Sequence, residues 1–199
     1  ELNADIIALQ EVDFPRQDHA PIAPWLAQKT GMIAIGGPVW SREGVGYGNA
    51  LLSRYPVDRV RRWDLSVGRH EPRGALDVEL TICGRTVHVL NTHLGLWPRE
   101  RPQQADRLLE LLSLSRRDLT ILMGDLNEWH GWGKSLRGLR RVFGSPAAPV
   151  TFPARWPVLA LDRIWIFPAQ ALLTVEAHDT PRSRLASDHL PVKADIYLP

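Results

Sequence analysis

Residues 75–92 limit the fold more than any other stretch of the chain. ALDVELTI at 75–82 alternates apolar and polar side chains, Cys83-Gly84-Arg85 supplies a turn, and TVHVLNT at 86–92 returns with the same period. Side chains on a strand alternate between faces, so this pattern predicts an antiparallel hairpin with one face buried. A helical period follows at 103–115, where Ala105, Leu108, Leu109 and Leu112 share one stripe, and it leads into the aliphatic run LTILM at 119–123. A weaker helix is expected near 20–30 and a closing strand near 191–198. Turn signals at 36–38 (GGP), 46–49 (GYGN) and 145–149 (SPAAP) separate the short apolar runs. Strands that outnumber helices predict α/β layers, with two sheet faces packed on each other and helices outside.

At 199 residues, 44% hydrophobic and 23% charged, the chain suffices for a single domain over 1–199 with a sizeable core. A net charge of +2 is too small to argue by itself for nucleic-acid binding. All of the 24 basic residues except Lys29, Lys134 and Lys193 are arginine, which suits bidentate phosphate contacts and equally reflects codon usage. The arginine runs RVRR at 59–62 and RGLRR at 137–141 are expected to be solvated loops, with a phosphate-tracking role as the alternative. Cys83 is the only cysteine, so no intrachain disulfide is possible and a reducing, cytoplasmic compartment is favoured. No apolar run approaches the roughly 20 residues of a membrane-spanning helix. A monomer is expected.

Five polar clusters each stand at the end of an apolar run. Glu11 follows IIALQ, and a carboxylate there is a hard-oxygen donor suited to Mg²⁺ or a charge that simply meets solvent. His93 lies two places beyond Asn91 and shares the hairpin's apolar side with Val87 and Val89, so its imidazole leans inward. Asp125 and Asn127 end the LTILM strand. An extended chain past Gly124 would aim both side chains at one point, whereas an Asx-turn would bind them to their own backbone. Asp162, expected in mid-strand between Leu161 and Ile164, needs a partner, which is Arg163 or a histidine. In Ser187-Asp188-His189 the acid and the imidazole are adjacent, so in extended chain they serve different partners.

Taken in order, ALQE, GNALLSRYP, EPRGAL, NTHLG, GDLNEW, LDRIW and SDHLPV resemble the endonuclease/exonuclease/phosphatase superfamily, the deoxyribonuclease I-like phosphoesterases, over about residues 2–198. The resemblance implies a four-layer α/β sandwich, two mixed β-sheets face to face with helices outside. It also implies hydrolysis of a phosphodiester or phosphomonoester by in-line attack of water, with Mg²⁺ or Mn²⁺ as cofactor. By position, Glu11 and Asp188 match metal-region carboxylates. Asp125 matches the group that orients or deprotonates water, and Asn127 a donor to phosphate. His189 matches the near-C-terminal histidine, and Asp162 its orienting acid. His93 matches a second histidine that contacts phosphate or protonates the leaving oxygen. Asn49 and Arg73 match substrate-side positions.

The superfamily's first strand carries an asparagine near the metal, and that strand is missing from the sequence. Asn3, expected at a helix end, is not its match, so an N-terminally truncated domain with an upstream segment is anticipated. The alternative from another class is a non-catalytic binding domain that keeps the fold. Trp97, Trp129, Trp132 and Trp156 fall within a few residues of the motifs, where they could stack bases, meet a lipid headgroup layer or pack loops onto the sandwich. Nucleic acid, a phospholipid headgroup and a small phosphodiester are all open as substrates.

Overall fold

The computed structural model describes residues 1–14, 22–40, 46–114 and 118–198. In chain order these form β1 (Ile6–Phe14), α1 (Ile22–Thr30), β2 (Ile33–Trp40), β3 (Gly46–Ser53), β4 (Val57–Asp64), β5 (Gly74–Ile82) and β6 (Arg85–His93). There follow α2 (Arg101–Leu114), β7 (Leu119–Asp125), α3 (Lys134–Phe143), β8 (Asp162–Phe167), β9 (Leu172–Ala177), α4 (Ser183–Ala186) and β10 (Val192–Ile196). Three sheets result, with strand orders β1-β3-β2, β10-β9 and β4-β5-β6-β7-β8. The predicted hairpin is β5–β6, and β6 pairs in parallel with β7 across the α2 crossover. Residue 115, where the helical period was expected to end, lies outside the described residues; the helix at 22–30 and the last strand fall where the pattern puts them.

The alternation in β5, β6 and β7 sorts their side chains into two cores. Val78, Leu80, Val87, Val89, Ile121 and Met123 face the three-stranded sheet, meeting Ile35 and Leu51. Leu90, Leu122 and Trp165 face the other way, against Ala105, Leu108 and Leu112 of α2 and Leu136, Leu139 and Phe143 of α3. On the far side, α1 covers the small sheet through Ala23 and Ala27, which pack near Ala50 and Leu52. The layers are therefore α1, small sheet, large sheet, and α2 with α3. Both arginine runs differ from expectation. RGLRR belongs to α3, whose Leu136, Leu139 and Phe143 are spaced for one buried face. RVRR forms edge strand β4, where Arg61 pairs with Asp77 at 3.0 Å and Glu79 at 3.1 Å, and Arg62 Nε donates to the Gly36 carbonyl. Asn3 lies in irregular chain before β1, not at a helix end.

Asp77 is almost fully buried, accepting from Trp63 Nε1 at 2.9 Å and standing 2.7 Å from His88 Nε2. Burial opposes its charge, but the hydrogen bonds from His88 and Trp63, with the charge of Arg61, hold its pKa below the ordinary value. A carboxylate whose folded pKa is depressed stabilises the fold above the unfolded value, and that contribution disappears as pH falls through the folded value. Melting temperatures measured through acid pH are expected to fall more steeply for the wild type than for Asp77→Asn, which has no proton to take up.

β1 and β10 each line a trench of about 710 Å³, together with Ile82, Ile121 and Met123 on its floor. Asp162 and His189 stand among its lining residues.

Candidate active site

Strand register assembles the center of the site. His93 is paired with Asp125 across β6–β7, and Asp125 with Asp162 across β7–β8. Residues directly opposite on neighbouring strands share a face. The row His93–Asp125–Asp162 therefore continues the inner apolar face of Val89, Ile121 and Ile164 and ends it with polar groups. His189 Nδ1 lies 2.8 Å from Asp162 Oδ2, and Thr151 Oγ1 donates to the same oxygen at 2.5 Å. The histidine, not Arg163, is thus the partner of Asp162; Arg163 Nη1 donates to the Asp162 backbone carbonyl. Asp162 opens β8 instead of lying in mid-strand, and the Phe152 ring packs 4.7 Å from that of His189.

Past Gly124 the chain turns. The Asn127 backbone N–H donates to Asp125 Oδ1 at 2.7 Å, an Asx-turn, and Asn127 sits at φ 49°. The extended-chain expectation fails here, yet Asn127 still reaches the row. Its Nδ2 donates to the Leu94 carbonyl at 2.9 Å and lies 3.0 Å from His93 Nε2. Because that nitrogen must be the donor to Leu94, His93 Nε2 is the acceptor, and the neutral ring carries its proton on Nδ1. His93 Nε2 is also 3.5 Å from Asp125 Oδ2.

Glu11 approaches from the small sheet. The β1–β3 register shifts between Leu9 and Val12, and Glu11 adopts φ 55° inside that irregularity. A bulge of this kind re-aims a side chain, and Glu11 Oε1 comes within 3.9 Å of His93 Nδ1 while its side chain stays 67% exposed. Just behind it, Gln10 Nε2 donates to Asn91 Oδ1, and Asn91 Nδ2 donates to the carbonyls of Leu9 and Ala50. These amides from ALQE and NTHL clamp the two sheets directly beneath Glu11 and His93. Asn49 and Arg73 line a small cleft with Glu11 and His93. Asn49 Nδ2 donates to the Gly74 carbonyl; Arg73 pairs with Glu71 at 2.8 Å and bonds the Tyr47 hydroxyl. Asp188 is exposed beside His189 and accepts from Ser187 Oγ at 3.4 Å.

The electrostatics divide the row. Burial, then the charge of Arg73, pushes the His93 pKa down to about 3, so its ring is neutral. Burial, then the neighbouring Asp162 charge, pushes Asp125 up to about 6 against the Asn127 hydrogen bond. At His189 burial opposes protonation, but the hydrogen bond and charge of Asp162, followed by Asp125 and Asp188, outweigh it and raise the pKa. Among the described residues, Asp125, Asp162 and His189 offer ligand-type atoms within 4.8 Å of one another; Glu11 and Asp188 stand outside that trio.

Several supporting residues have no signal in the sequence. Thr151 comes from a loop tied to Leu159 by an isolated bridge, and Tyr47 meets Arg73 across 26 positions. Glu128, buried next to Asn127, accepts from Ser135 Oγ at 2.5 Å and stands 3.7 Å from Arg101 Nε, while Arg101 Nη1 donates to the Leu96 carbonyl. This chain of contacts ties the turn after β7 to the turn after β6.

Known proteins resemble this chain over nearly its whole length. The uncharacterized protein YbhP of Escherichia coli K12 is 32% identical over 217 residues, covering 99% of this chain and 85% of YbhP. An endonuclease/exonuclease/phosphatase from Bacteroides vulgatus superimposes with a TM-score of 0.76 at 20% identity, covering 98% of this chain and 85% of its own. A mannosyl-6-phosphatase from Bacteroides thetaiotaomicron gives 0.75 at 17%, with 98% and 85% covered. Truncated TDP2 from Caenorhabditis elegans gives 0.67 at 22%, with 99% and 86% covered. The sequence profile of the Endonuclease/Exonuclease/phosphatase family matches residues 1–189, and with nearly the whole chain so accounted for, this protein belongs to that family.

Proposed function

We propose that the site hydrolyses a phosphoester by in-line attack of water, on a phospholipid headgroup, a nucleic acid or a small phosphodiester. One observation carries this: three strand ends deliver a histidine and two carboxylates in one row, with a second histidine locked on the last of them. Phosphoryl transfer asks for positioned groups and charge stabilisation more than for covalent chemistry. Asp125, whose raised pKa keeps it close to neutral pH, takes the proton of the attacking water. His189, oriented through Nδ1 by Asp162, presents Nε2 as donor to the phosphate and source of the proton for the leaving oxygen. His93, neutral and accepting from Asn127, holds the turn that carries Asp125. Asn49 and Arg73 bound the cleft in which substrate oxygens lie.

The donor set fits a hard divalent cation. Glu11 on the His93 flank of the row and Asp188 on the His189 flank present exposed carboxylates, and each would hold Mg²⁺ or Mn²⁺ on its own side. When bound, the ion supplies positive charge opposite the phosphate oxygens.

Hydrolysis of bis(p-nitrophenyl) phosphate is expected with Mg²⁺ or Mn²⁺, to vanish with EDTA and to return when the metal is replenished. Glu11→Gln should weaken Mn²⁺ binding, read by calorimetry independently of turnover, by about tenfold or more. A protein inert toward every phosphoester with both metals would instead favour a binding domain that retains the fold.

A further inference from the structure

The parallel pair β6–β7 and its antiparallel neighbours β5 and β8 bring four connections to one end of the large sheet: residues 65–73, 94–100, 126–133 and 144–161. Helix α4, just before His189, joins them through the Arg184 contact with the Arg155 carbonyl. Four of the five exposed tryptophans among the described residues lie on these connections: Trp97 at 62%, Trp129 at 61%, Trp132 at 79% and Trp156 at 80%. Leu96 at 64% and Leu185 at 87% stand beside them. Apolar side chains so placed lower the free energy of a surface only when something covers it, and their concentration around one opening marks an interaction site.

Two features identify the cover. Leu96 and Leu185 have no π face on which a base could stack, so a single-stranded nucleic acid would leave them wet. Hydrocarbon would not, and tryptophan favours the boundary where hydrocarbon meets headgroups. The same connections carry exposed Arg69, Arg99 and Arg155, and exposed Lys134 opens α3 next to them. Of the acids nearby, Glu71 is tied to Arg73 and Asp179 to Arg184, and Asp64 accepts from the Ser66 backbone N–H; Glu11 and Asp188, at the site itself, are the exposed carboxylates that face no arginine in these contacts. Trp97 is tilted against His70 at 5.9 Å and Trp132 stacked with His130 at 5.7 Å, which holds both rings in place. Among the described residues no helix is long and apolar enough to cross a membrane, so contact would be with one leaflet.

We infer that this rim docks the protein on an anionic lipid surface, with Trp97, Trp156, Leu96 and Leu185 entering the headgroup layer and the arginines meeting lipid phosphates. Docking so oriented turns the row His93–Asp125–Asp162 toward the membrane, which makes a headgroup phosphoester the substrate class. That second half rests on the proposed phosphoesterase function; the docking half rests on the surface alone.

The test is co-sedimentation with vesicles of phosphatidylcholine alone and of phosphatidylcholine mixed with phosphatidylglycerol. The wild type is expected to sediment with the anionic vesicles, less so at high salt. The variant Trp97→Ala/Trp156→Ala/Leu185→Ala, with unchanged melting temperature, is expected to bind about tenfold or more weakly. Its turnover of bis(p-nitrophenyl) phosphate should equal the wild type's, while release of headgroup from vesicles falls. Binding to neither vesicle, equal binding by the variant, or capture of a single-stranded oligonucleotide in place of vesicles would each overturn the docking surface. Vesicle binding without hydrolysis of any phosphoester would leave docking intact and remove the substrate assignment.

Discussion

Replacing His189 by alanine is expected to lower kcat/KM for a phosphodiester by about 10²–10⁴-fold, while the melting temperature stays near that of the wild type. The imidazole is only half-buried and contributes to the inter-sheet core through little more than its contact with Phe152. Asp162→Asn should lose activity within the same range although it touches no reacting atom. An amide keeps the Thr151 hydrogen bond but removes the charge that holds the His189 pKa up. The sign follows directly. With that cause gone the pKa falls, the protonated ring disappears at lower pH, and the alkaline limb of the rate profile moves to the acid side. The double variant should be hardly worse than the worse single one, since the two residues act as a unit. Additive losses, or an unmoved alkaline limb, would break the link between Asp162 and His189.

Gly124→Ala is expected to destabilise the protein by more than about 3 kcal/mol. Gly124 has φ 138°, outside the range of residues bearing a Cβ, and it sits opposite Thr92 in the β6–β7 pair. A Cβ there would stand 1.8 Å from the Thr92 carbonyl oxygen. That oxygen belongs to backbone, so no rotamer change relieves the clash, and the two strands must separate or slip. The rungs that move first are those bearing His93 and Asp125. Folded variant recovered at low temperature should therefore be inactive as well as unstable, whereas wild-type stability in urea would refute the close approach. Activity and urea unfolding, measured on the same preparation, distinguish the two losses.

The two-residue period of β5 and β6 made the hairpin legible, and it also put His93 on the inner face, because burial on one side fixes every second residue. The helical stripe of α2 was equally plain. Charge hid other elements. In RGLRR the arginines obscured the spacing of Leu136, Leu139 and Phe143, and in RVRR they obscured an edge strand whose charges pair with Asp77 and Glu79. At Asn127 the extended and Asx-turn alternatives differ by one dihedral that neighbouring residues do not dictate, and the turn prevailed. Thr151 was out of reach for a different reason. Its place beside Asp162 depends on a loop folding back from a distant part of the chain, and nothing in the local pattern of VTFP encodes that return.

Because His93, Asp125 and Asp162 stand opposite one another on three neighbouring strands, their separations are multiples of the interstrand spacing, about 4.8 Å, and are insulated from whatever the surrounding loops do. Reach and chemistry are thereby uncoupled. The connections bearing Trp97, Trp129 and Trp156 can lengthen, shorten or change polarity, and so trade one kind of target for another, without altering the spacing on which the proposed reaction depends. Such a molecule diversifies by exchanging its fringe around a fixed comb.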